Sequence, residues 1–306
     1  MSDSLVVQSI YSYKGMNILD NSAWIKCLES FLLLLKLDAE IILQVVKRDD
    51  SMKLEDVIKT NVGGLITACI SRKQLVDLME CRVKDTREAE EVTPLVIFSA
   101  NGHSISIANS DPEMGRMLNE ADILHADGQS VVSFSRWFSD NEIPERSATT
   151  DTIHDVPLMC AETIKHFLLG ANQATIEKCD KILSDKYPNF NVVGTQHGYF
   201  SEAEEDQIVS KINASGCEVL WVGLGKPKEQ LFILRNKSKL NVPVIISCGG
   251  CYNFVTGEYK RAPEIFQKFG LEWLHRALTE PRKLLWRYIT TNPHAIYCVI
   301  KHRYFV

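Results

Sequence analysis

The sequence contains no apolar stretch long enough to cross a lipid bilayer, which requires about 20 consecutive apolar residues. The run Phe31–Leu35 is short, and charged residues follow it at Lys36 and Asp38. Residues 1–14 also lack the apolar segment of a secretory signal peptide. These absences predict a protein located in the cytoplasm.

Two common nucleotide-binding motifs are also missing. The chain has neither a G-x-x-x-x-G-K-[ST] loop nor a G-x-G-x-x-G loop followed by a ribose-binding acid. This argues against a nicotinamide-dependent oxidoreductase, which nevertheless stays an alternative for an α/β chain. No D-x-D pair or His/Asp cluster stands at a predicted strand end, so we predict no metal ion, no cofactor and activity that survives chelation.

The nine cysteines show no disulfide framework, because their number is odd and their spacing irregular. This is typical of free thiols in a reducing compartment. Cys248 and Cys251 have C-x-x-C spacing, but neither a helix start nor a second ligand pair is evident beside them. The sequence therefore disfavours a redox or metal role for the pair.

Charge is unevenly distributed along the chain. The net charge of −5 gives no general attraction to nucleic acid. Residues 260–306, however, contain nine Lys/Arg, three Asp/Glu and eight aromatic residues, a local net of +6. Such a segment could bind phosphates or an anionic membrane surface. It could equally be a helical cap whose charges are solvated, and both interpretations can hold together.

Strand-like and helix-like patterns alternate from Gly64 onward, which predicts an α/β fold. We expect a Rossmann-like, mostly parallel sheet with helices on both faces in residues 61–262. Residues 1–60 form an N-terminal extension that is predicted to be helical. Residues 263–306 form a basic, aromatic, helical C-terminal appendage, with new helices starting at Pro281 and Pro293 and no contribution to folding of the α/β core.

Two buried strands are each predicted to end in a glycine loop. The first apolar run ends at Gly223 and Gly225, and the second ends at Gly249 and Gly250. Ligands of open α/β sheets bind at the carboxyl ends of the strands, where glycine lets backbone N–H groups approach an anion. The pattern predicts a phosphate-bearing ligand, with plain tight turns as the alternative.

Several polar residues stand where they could carry chemistry. Asp127 follows a short predicted strand and precedes a glycine, which suits a single general base; an Asp-Gly turn is the simpler alternative. Ser99 and Asn101 end another strand and could bind a substrate. Arg146 lies in a loop and could pair with a phosphate, and Tyr199 could stack on a base. Polar turns, a solvated arginine and a packed aromatic ring are the corresponding alternatives.

Taken together, the motifs resemble one family, the WecG/TagA/CpsF glycosyltransferases, over roughly residues 64–288. The matching stretches are Phe98–Asn101, Ala121–Gly128, Pro144–Arg146, Val193–Phe200, Ile212–Gly216, Gly223–Lys228, Arg261–Pro263, Gly270–Arg276 and Glu280–Arg282. The first six stretches resemble, in order, the family motifs T-x-N, A-D-L-x-x-x-D-G, P-x-R, G-x-x-x-G-Y-F, I-N-x-S and G-x-G-x-P-K-Q-E. The last three stretches resemble the C-terminal signature of that family.

The resemblance implies an inverting, metal-independent glycosyltransferase of cell-surface polysaccharide assembly. The donor would be a UDP-sugar and the acceptor a polyprenyl-diphosphate-linked sugar at the inner face of the cell membrane. The base of the family falls on Asp127, and its appendage falls on residues 263–306. Its donor-pocket residues fall on Ser99, Asn101 and Arg146. We place the tail cations Arg276, Arg282 and Arg287 near the diphosphate, and we predict Asp151, Lys228 and Glu229 as further binding residues. A homo-oligomer is compatible with this assignment.

Three departures from the family pattern surround the expected pocket. The Lys-Gln-Glu of the family is Lys228-Glu229-Gln230 here, a glycine of its R-x-x-G-x-D loop is Thr149, and the aspartate of its G-G-x-F-D motif is Asn253. They leave the donor sugar, the acceptor sugar and the linkage open. They also keep a non-catalytic scaffold protein of the same pathway as an alternative.

Overall fold

A computed structural model describes residues 52–89, 91–263, 266, 272–279 and 284–305. Most of the predicted N-terminal extension, with its predicted helices, lies outside the described residues, and so does Arg282. Arg276 is described only as a position in a helix.

The centre of the molecule is a parallel sheet of six strands in the order β4-β3-β8-β7-β5-β6. An antiparallel hairpin of two strands precedes it, so the boundary predicted after residue 60 falls inside this hairpin. The strands are β1 Lys59–Val62, β2 Leu65–Ala68, β3 Leu95–Ala100, β4 Ile123–Ala126, β5 Ile164–Gly170, β6 Phe190–Gln196, β7 Val219–Gly223 and β8 Val244–Ser247.

Helices connect and flank these strands. They are α1 Arg72–Thr86, α2 Gly102–Ser110, α3 Pro112–Asn119, α4 Gln129–Phe138, α5 Thr149–Met159, α6 Gln173–Lys186, α7 Glu205–Ser215, α8 Lys228–Asn236, α9 Cys251–Val255, α10 Glu272–Thr279 and α11 Trp286–Tyr304. The predicted fold class is confirmed: a parallel α/β sheet with helices around it. None of the described helices combines the length and hydropathy needed to span a bilayer.

Alternate residues of the central strands face two separate apolar cores, as the twofold repeat of a strand requires. Phe98 and Val222 belong to one core, whereas Ile97 and Trp221 belong to the other. Because both faces of β7 and β8 are buried, these strands are apolar up to the glycine or serine at their ends. This is why the strands could be predicted from the sequence.

Local polar residues determine several helix ends. Ser71 begins α1 with a capping box in which its hydroxyl accepts the amide of Gln74. The apolar spacing of residues 106–119 predicts one helix, but in the structure α2 ends at Ser110 and α3 begins at Pro112. Asp111 separates them, since its carboxylate accepts the amides of Glu113 and Met114.

The C-terminal helix α11 is part of the folded core. Ala295, Cys298 and Val299 are buried in the same core as Phe98 and Val222. Our expectation that the appendage makes no contribution to folding was therefore wrong, because its removal would expose this part of the core. Pro293 lies inside α11 and does not start a new helix.

Two hydrogen bonds fix α11 against α2. Ser106 Oγ is 2.9 Å from His294 Nδ1, and Asn109 Oδ1 is 2.9 Å from His302 Nε2. Since α2 starts at the carboxyl end of β3, this packing brings the appendage to the edge of the sheet where the candidate site residues lie.

Candidate functional site

The predicted site residues converge at one edge of the sheet. All six central strands are parallel, so their carboxyl ends meet there. Asn101 follows β3 directly, Asp127 follows β4, and the two glycine loops follow β7 and β8. The crevice at this edge is the candidate site.

Asp127 is held in place by backbone groups. Its own N–H donates to the carbonyl of Ala100 (2.9 Å), and its Oδ1 accepts the amide of Thr149 (3.1 Å). Its Oδ2 is 3.5 Å from Nδ2 of Asn101. Because the contact with Thr149 uses the main chain, the replacement of the family's glycine by threonine leaves this contact possible.

Asn101 joins the carboxyl end of β3 to Asp127. Its Oδ1 caps α2 by accepting the amide of Ser104 (3.0 Å), which leaves its amide nitrogen directed toward Asp127. Gly128 allows this approach, because a Cβ at that position would stand 2.9 Å from the Cβ of Asn101. Ser99 is buried, and its carbonyl accepts a hydrogen bond from Lys226.

Lys226 enters the same crevice from the loop after β7. Its Nζ donates to the carbonyl of Ser99 and, over 2.7 Å, to Oγ of Ser104. Burial lowers the pKa of Lys226, although the negative charges of Glu229 and Asp127 oppose this shift. The lysine side chain is half-buried, and its ammonium makes these two hydrogen bonds.

His103 and Arg287 complete a group of basic side chains. Burial, together with the positive charges of Arg287 and Lys226, lowers the pKa of His103 to about 4, so its imidazole is neutral at pH 7. Arg287 lies over the ring of Tyr288, with 5.0 Å between the guanidinium carbon and the ring centroid. Nδ1 of His103 and Nε of Arg287 are buried, and within the described residues they have no hydrogen-bond partner.

Glu229 occupies the amides of the two glycine loops. Its Oε2 accepts the N–H of Gly225 and the N–H of Gly249, each over 3.0 Å. Burial raises the pKa of this carboxyl group, and the charge of Lys226 opposes the shift. These two glycine amides therefore bind an internal carboxylate and do not form an open site for an anionic ligand.

The other predicted binding residues of this region differ in exposure. Gly223 is buried under Tyr252, and a Cβ there would lie 2.6 Å from that ring. Gly250 and Lys228 are exposed at the starts of α9 and α8. Tyr199 is 76% exposed.

Arg146 and Asp151 belong to a network of ion pairs beside the crevice. Nη1 of Arg146 is 2.7 Å from Glu272 of α10, and its Nη2 is 3.5 Å from Asp151. Asp151 also pairs with Arg261 (2.6 Å). Burial alone would raise the pKa of Asp151, but Arg261, with Arg72 and Arg146, outweighs burial and lowers it. The network connects the appendage to the loop that follows α4.

Cys248 and Cys251 lie below the crevice and are both buried. Contrary to the sequence-based expectation, a short helix does begin at Cys251. Burial nevertheless raises the pKa of both thiols well above the ordinary value. A thiol that stays protonated is a poor nucleophile and a poor metal ligand, so the structure agrees with packing roles for this pair.

Sequence reasoning missed Lys226 and did not assign His103 a place in the site. A signal for Lys226 was present, because it is the one charged residue between the glycines of the first loop and Pro227. Among the described residues no cluster of His, Cys, Asp or Glu could hold a metal ion. An open depression lined by Val96, Asp122 and Leu240 lies at the opposite edge of the sheet, away from Asp127.

The protein has an open parallel sheet, and a carboxylate and several basic groups lie at the carboxyl edge of this sheet. An α/β protein with such a site is suited to an anionic ligand. A model of the glycosyl transferase WecG/TagA/CpsF family matches residues 60–305. Because the match covers most of the chain, the protein belongs to this family, as its motifs indicated. Membership of a glycosyltransferase family favours a transferase over the oxidoreductase that the sequence had left open.

Proposed function

We propose that this protein transfers a sugar, with inversion, from a UDP-sugar to a polyprenyl-diphosphate-linked acceptor without a metal ion. The observation that carries the proposal is the position of Asp127. It lies at the carboxyl edge of the sheet with one oxygen bound by Thr149 and the other facing Asn101, close to Lys226. A single fixed carboxylate in a basic crevice suits a general base beside a diphosphate leaving group.

In the proposed reaction the acceptor hydroxyl attacks the anomeric carbon of the donor. Asp127 takes the hydroxyl proton on Oδ2 as the new C–O bond forms. The bond between the anomeric carbon and the diphosphate oxygen breaks, and its electron pair leaves with UDP. One displacement of this kind inverts the anomeric centre, and no second carboxylate is needed as a nucleophile.

The departing diphosphate requires positive charge where no metal supplies it. Arg287 is suited to this task because no carboxylate pairs with it among the described residues and its Nε lacks a hydrogen-bond partner. Arg146 is less suited in the present arrangement, since Glu272 and Asp151 already neutralise it. Roles for Arg276 and Arg282 remain predictions.

The exposed side of α11 supports a membrane-bound acceptor. An apolar, aromatic stripe follows a helical repeat on this side, and we call it the outer stripe: Trp286, Ile289, Ile296, Tyr297, Ile300 and Tyr304, all exposed. Lys301 and Arg303 lie in its last turn. Aromatic rings with flanking cations are typical of helices that lie in a lipid interface, so we assign this side of α11 to the anionic inner face of the membrane.

A vesicle assay tests the outer stripe. Replacing Trp286 and Tyr297 together by serine should abolish most binding to anionic vesicles and leave thermal stability unchanged, because both rings are exposed. The control is Leu158→Ser, which removes an exposed apolar side chain of α5, on the other face of the sheet. If the Trp286→Ser/Tyr297→Ser variant and the Leu158→Ser control bound vesicles equally, the assignment of this side of α11 to the membrane would be wrong.

The transfer reaction itself is tested with a panel of UDP-sugars and a polyprenyl-diphosphate-linked acceptor, with products identified by mass spectrometry. We expect a product of one added sugar, with inverted configuration by NMR, both with and without EDTA. Transfer that required Mg²⁺ or Mn²⁺ would contradict the proposed use of basic side chains. Binding of UDP-sugars without transfer to any acceptor would favour the scaffold alternative, which the internal carboxylate Glu229 keeps open.

A further inference from the structure

The side chain of Lys226 crosses the crevice at the carboxyl edge of the sheet. Lys226 follows β7, yet its Nζ donates to the carbonyl of Ser99 at the end of β3 and to Ser104 in α2. In the sheet, β8 lies between β7 and β3. The ammonium is therefore fixed above the end of β8, in the part of an open α/β sheet where ligands bind.

The ammonium group retains binding capacity in this position. An ammonium has three N–H donors, and contacts with the described residues use two of them. The carboxylates that act on its charge are engaged with backbone amides: Glu229 with Gly225 and Gly249, and Asp127 with Thr149. The crevice thus contains a positive charge whose third donor is available to a ligand.

Two neighbouring polar atoms independently indicate a missing ligand. Nδ1 of His103 and Nε of Arg287 are buried, and neither has a hydrogen-bond partner among the described residues. The charges of both Arg287 and Lys226 lower the pKa of His103, so these three side chains lie near one another. A buried donor without a partner destabilises the folded state, and an anionic oxygen between Lys226 and Arg287 would accept a hydrogen bond from Nε of Arg287.

This chain departs from the family motif in the loop that contains Lys226 and Glu229. The motif G-x-G-x-P-K-Q-E has a variable residue where this chain has Lys226, and an amide where it has Glu229. Because Glu229 and Gln230 exchange the amide and the acid of the motif, the number of carboxylates is the same and only the position of the carboxylate differs. Lys226 therefore adds one positive charge to the loop, on its ligand side.

We propose that Lys226 binds an anionic oxygen of the nucleotide-sugar in the crevice, together with Arg287. This inference rests on the proposed function, because it assumes a UDP-sugar donor. The oxygen belongs either to the diphosphate or to a carboxylate on the transferred sugar, and both offer the same charge-assisted hydrogen bond to an ammonium.

Calorimetric titration of the full-length protein with UDP, UDP-glucose and UDP-glucuronate tests the proposal, with uridine as an uncharged reference. If Lys226 binds the diphosphate, Lys226→Met should lower the affinity for all three nucleotides by about 10- to 100-fold and leave the affinity for uridine unchanged. If it binds a sugar carboxylate, only UDP-glucuronate should lose affinity. Lys181→Met, at an exposed position of α6, is the matched control and should bind like the wild type.

Two results would overturn the inference in different ways. Equal affinities of wild type and Lys226→Met for all three nucleotides would remove the role of Lys226 and leave the proposed function intact. Failure of the wild type to bind any UDP ligand would overturn the proposed function, and this inference with it.

A second variant separates ligand binding from charge balance within the protein. Lys226→Met leaves Glu229 buried without its cation, so weaker binding could follow from local unfolding. The double variant Lys226→Met/Glu229→Gln removes both charges and keeps an acceptor for the two glycine amides. Persistent weak binding by the double variant, with a normal thermal transition, supports direct contact. Recovery of wild-type affinity would mean that Lys226 only neutralises Glu229, and would overturn the proposal.

Discussion

Two groups of basic side chains lie at the carboxyl edge of the sheet, and they differ in what neutralises them. In the first group, Lys226 and Arg287 surround His103, and neither forms an ion pair with a carboxylate of the described residues. In the second group, Arg146 and Arg261 form ion pairs with Asp151 and Glu272. The first group offers charge to a ligand, whereas the second uses its charge within the protein.

The difference shows why residue type alone does not identify a binding site. A buried cation without a carboxylate is costly to the folded state unless a ligand supplies the missing charge. A paired cation needs no ligand and instead fixes the elements that it joins, here the loop after α4, the start of α5 and the appendage helix α10. We therefore expect substitutions in the first group to affect ligands, and substitutions in the second to affect stability.

The largest expected effect belongs to Asp127, which lies near Lys226 of the first group. Asp127→Asn keeps an acceptor for the amide of Thr149 but cannot take a proton, so transfer should fall by about 10²- to 10⁴-fold while UDP binding is retained. Steady-state turnover and calorimetric UDP binding measure the two properties. Asp185→Asn, at an exposed position of α6, is the control. Near-normal turnover by a folded Asp127→Asn protein would remove the base from the proposed mechanism.

An intermediate effect should separate the two groups directly. Arg287→Met should weaken UDP binding and turnover by about tenfold or more, because it removes a charge-assisted contact, with little change in thermal stability. Arg261→Met should leave Asp151 with one fewer partner and lower the free energy of unfolding by about 1–2 kcal/mol.

Both variants are compared by calorimetry and by urea unfolding. The comparison between the groups fails if Arg287→Met mainly destabilises the protein, or if Arg261→Met mainly weakens UDP binding. Interchanged results of this kind would mean that the ion pairs around Asp151 open when substrate binds.

Most of the fold could be predicted from the sequence, for a physical reason. Strands β3, β7 and β8 are buried on both faces and are apolar up to the glycine or polar residue that marks the end of each. Helix α5 was not predicted, since Thr149–Met159 contains Pro157 and has no side-chain cap.

The site was harder to predict because its contacts join distant parts of the chain. The motif residues Asp127 and Asn101 could be assigned, since each directly follows a strand. The contact between Lys226 and Ser99 could not, since it spans 127 residues and depends on the order of the strands. Whether Arg146 carries an available charge depends likewise on Glu272, a residue of the appendage.

The smallest expected effect is a pH dependence that arises from Asp151 in the second group. The arginines around Asp151 lower its pKa in the folded protein. A carboxylate with a lowered pKa stabilises the fold above its unfolded-state pKa, about 3.9. That contribution is lost as the pH falls through the lower folded-state value. Unfolding free energies of wild type and Asp151→Asn should therefore differ at pH 6 by at most about 1 kcal/mol.

As the pH falls below about 4, the two proteins should converge. Urea titrations at several pH values between 3 and 6 measure this convergence, with Asp185→Asn as the control that shows none. His103 also titrates in this range: its pKa is lowered from 6.5 to about 4, so the unfolded chain takes up a proton first and stability falls as the pH drops between these values. This contribution is common to wild type and Asp151→Asn and cancels in their difference. A constant difference between wild type and Asp151→Asn across the range would show that Asp151 stabilises the fold as a hydrogen-bond acceptor rather than through its charge.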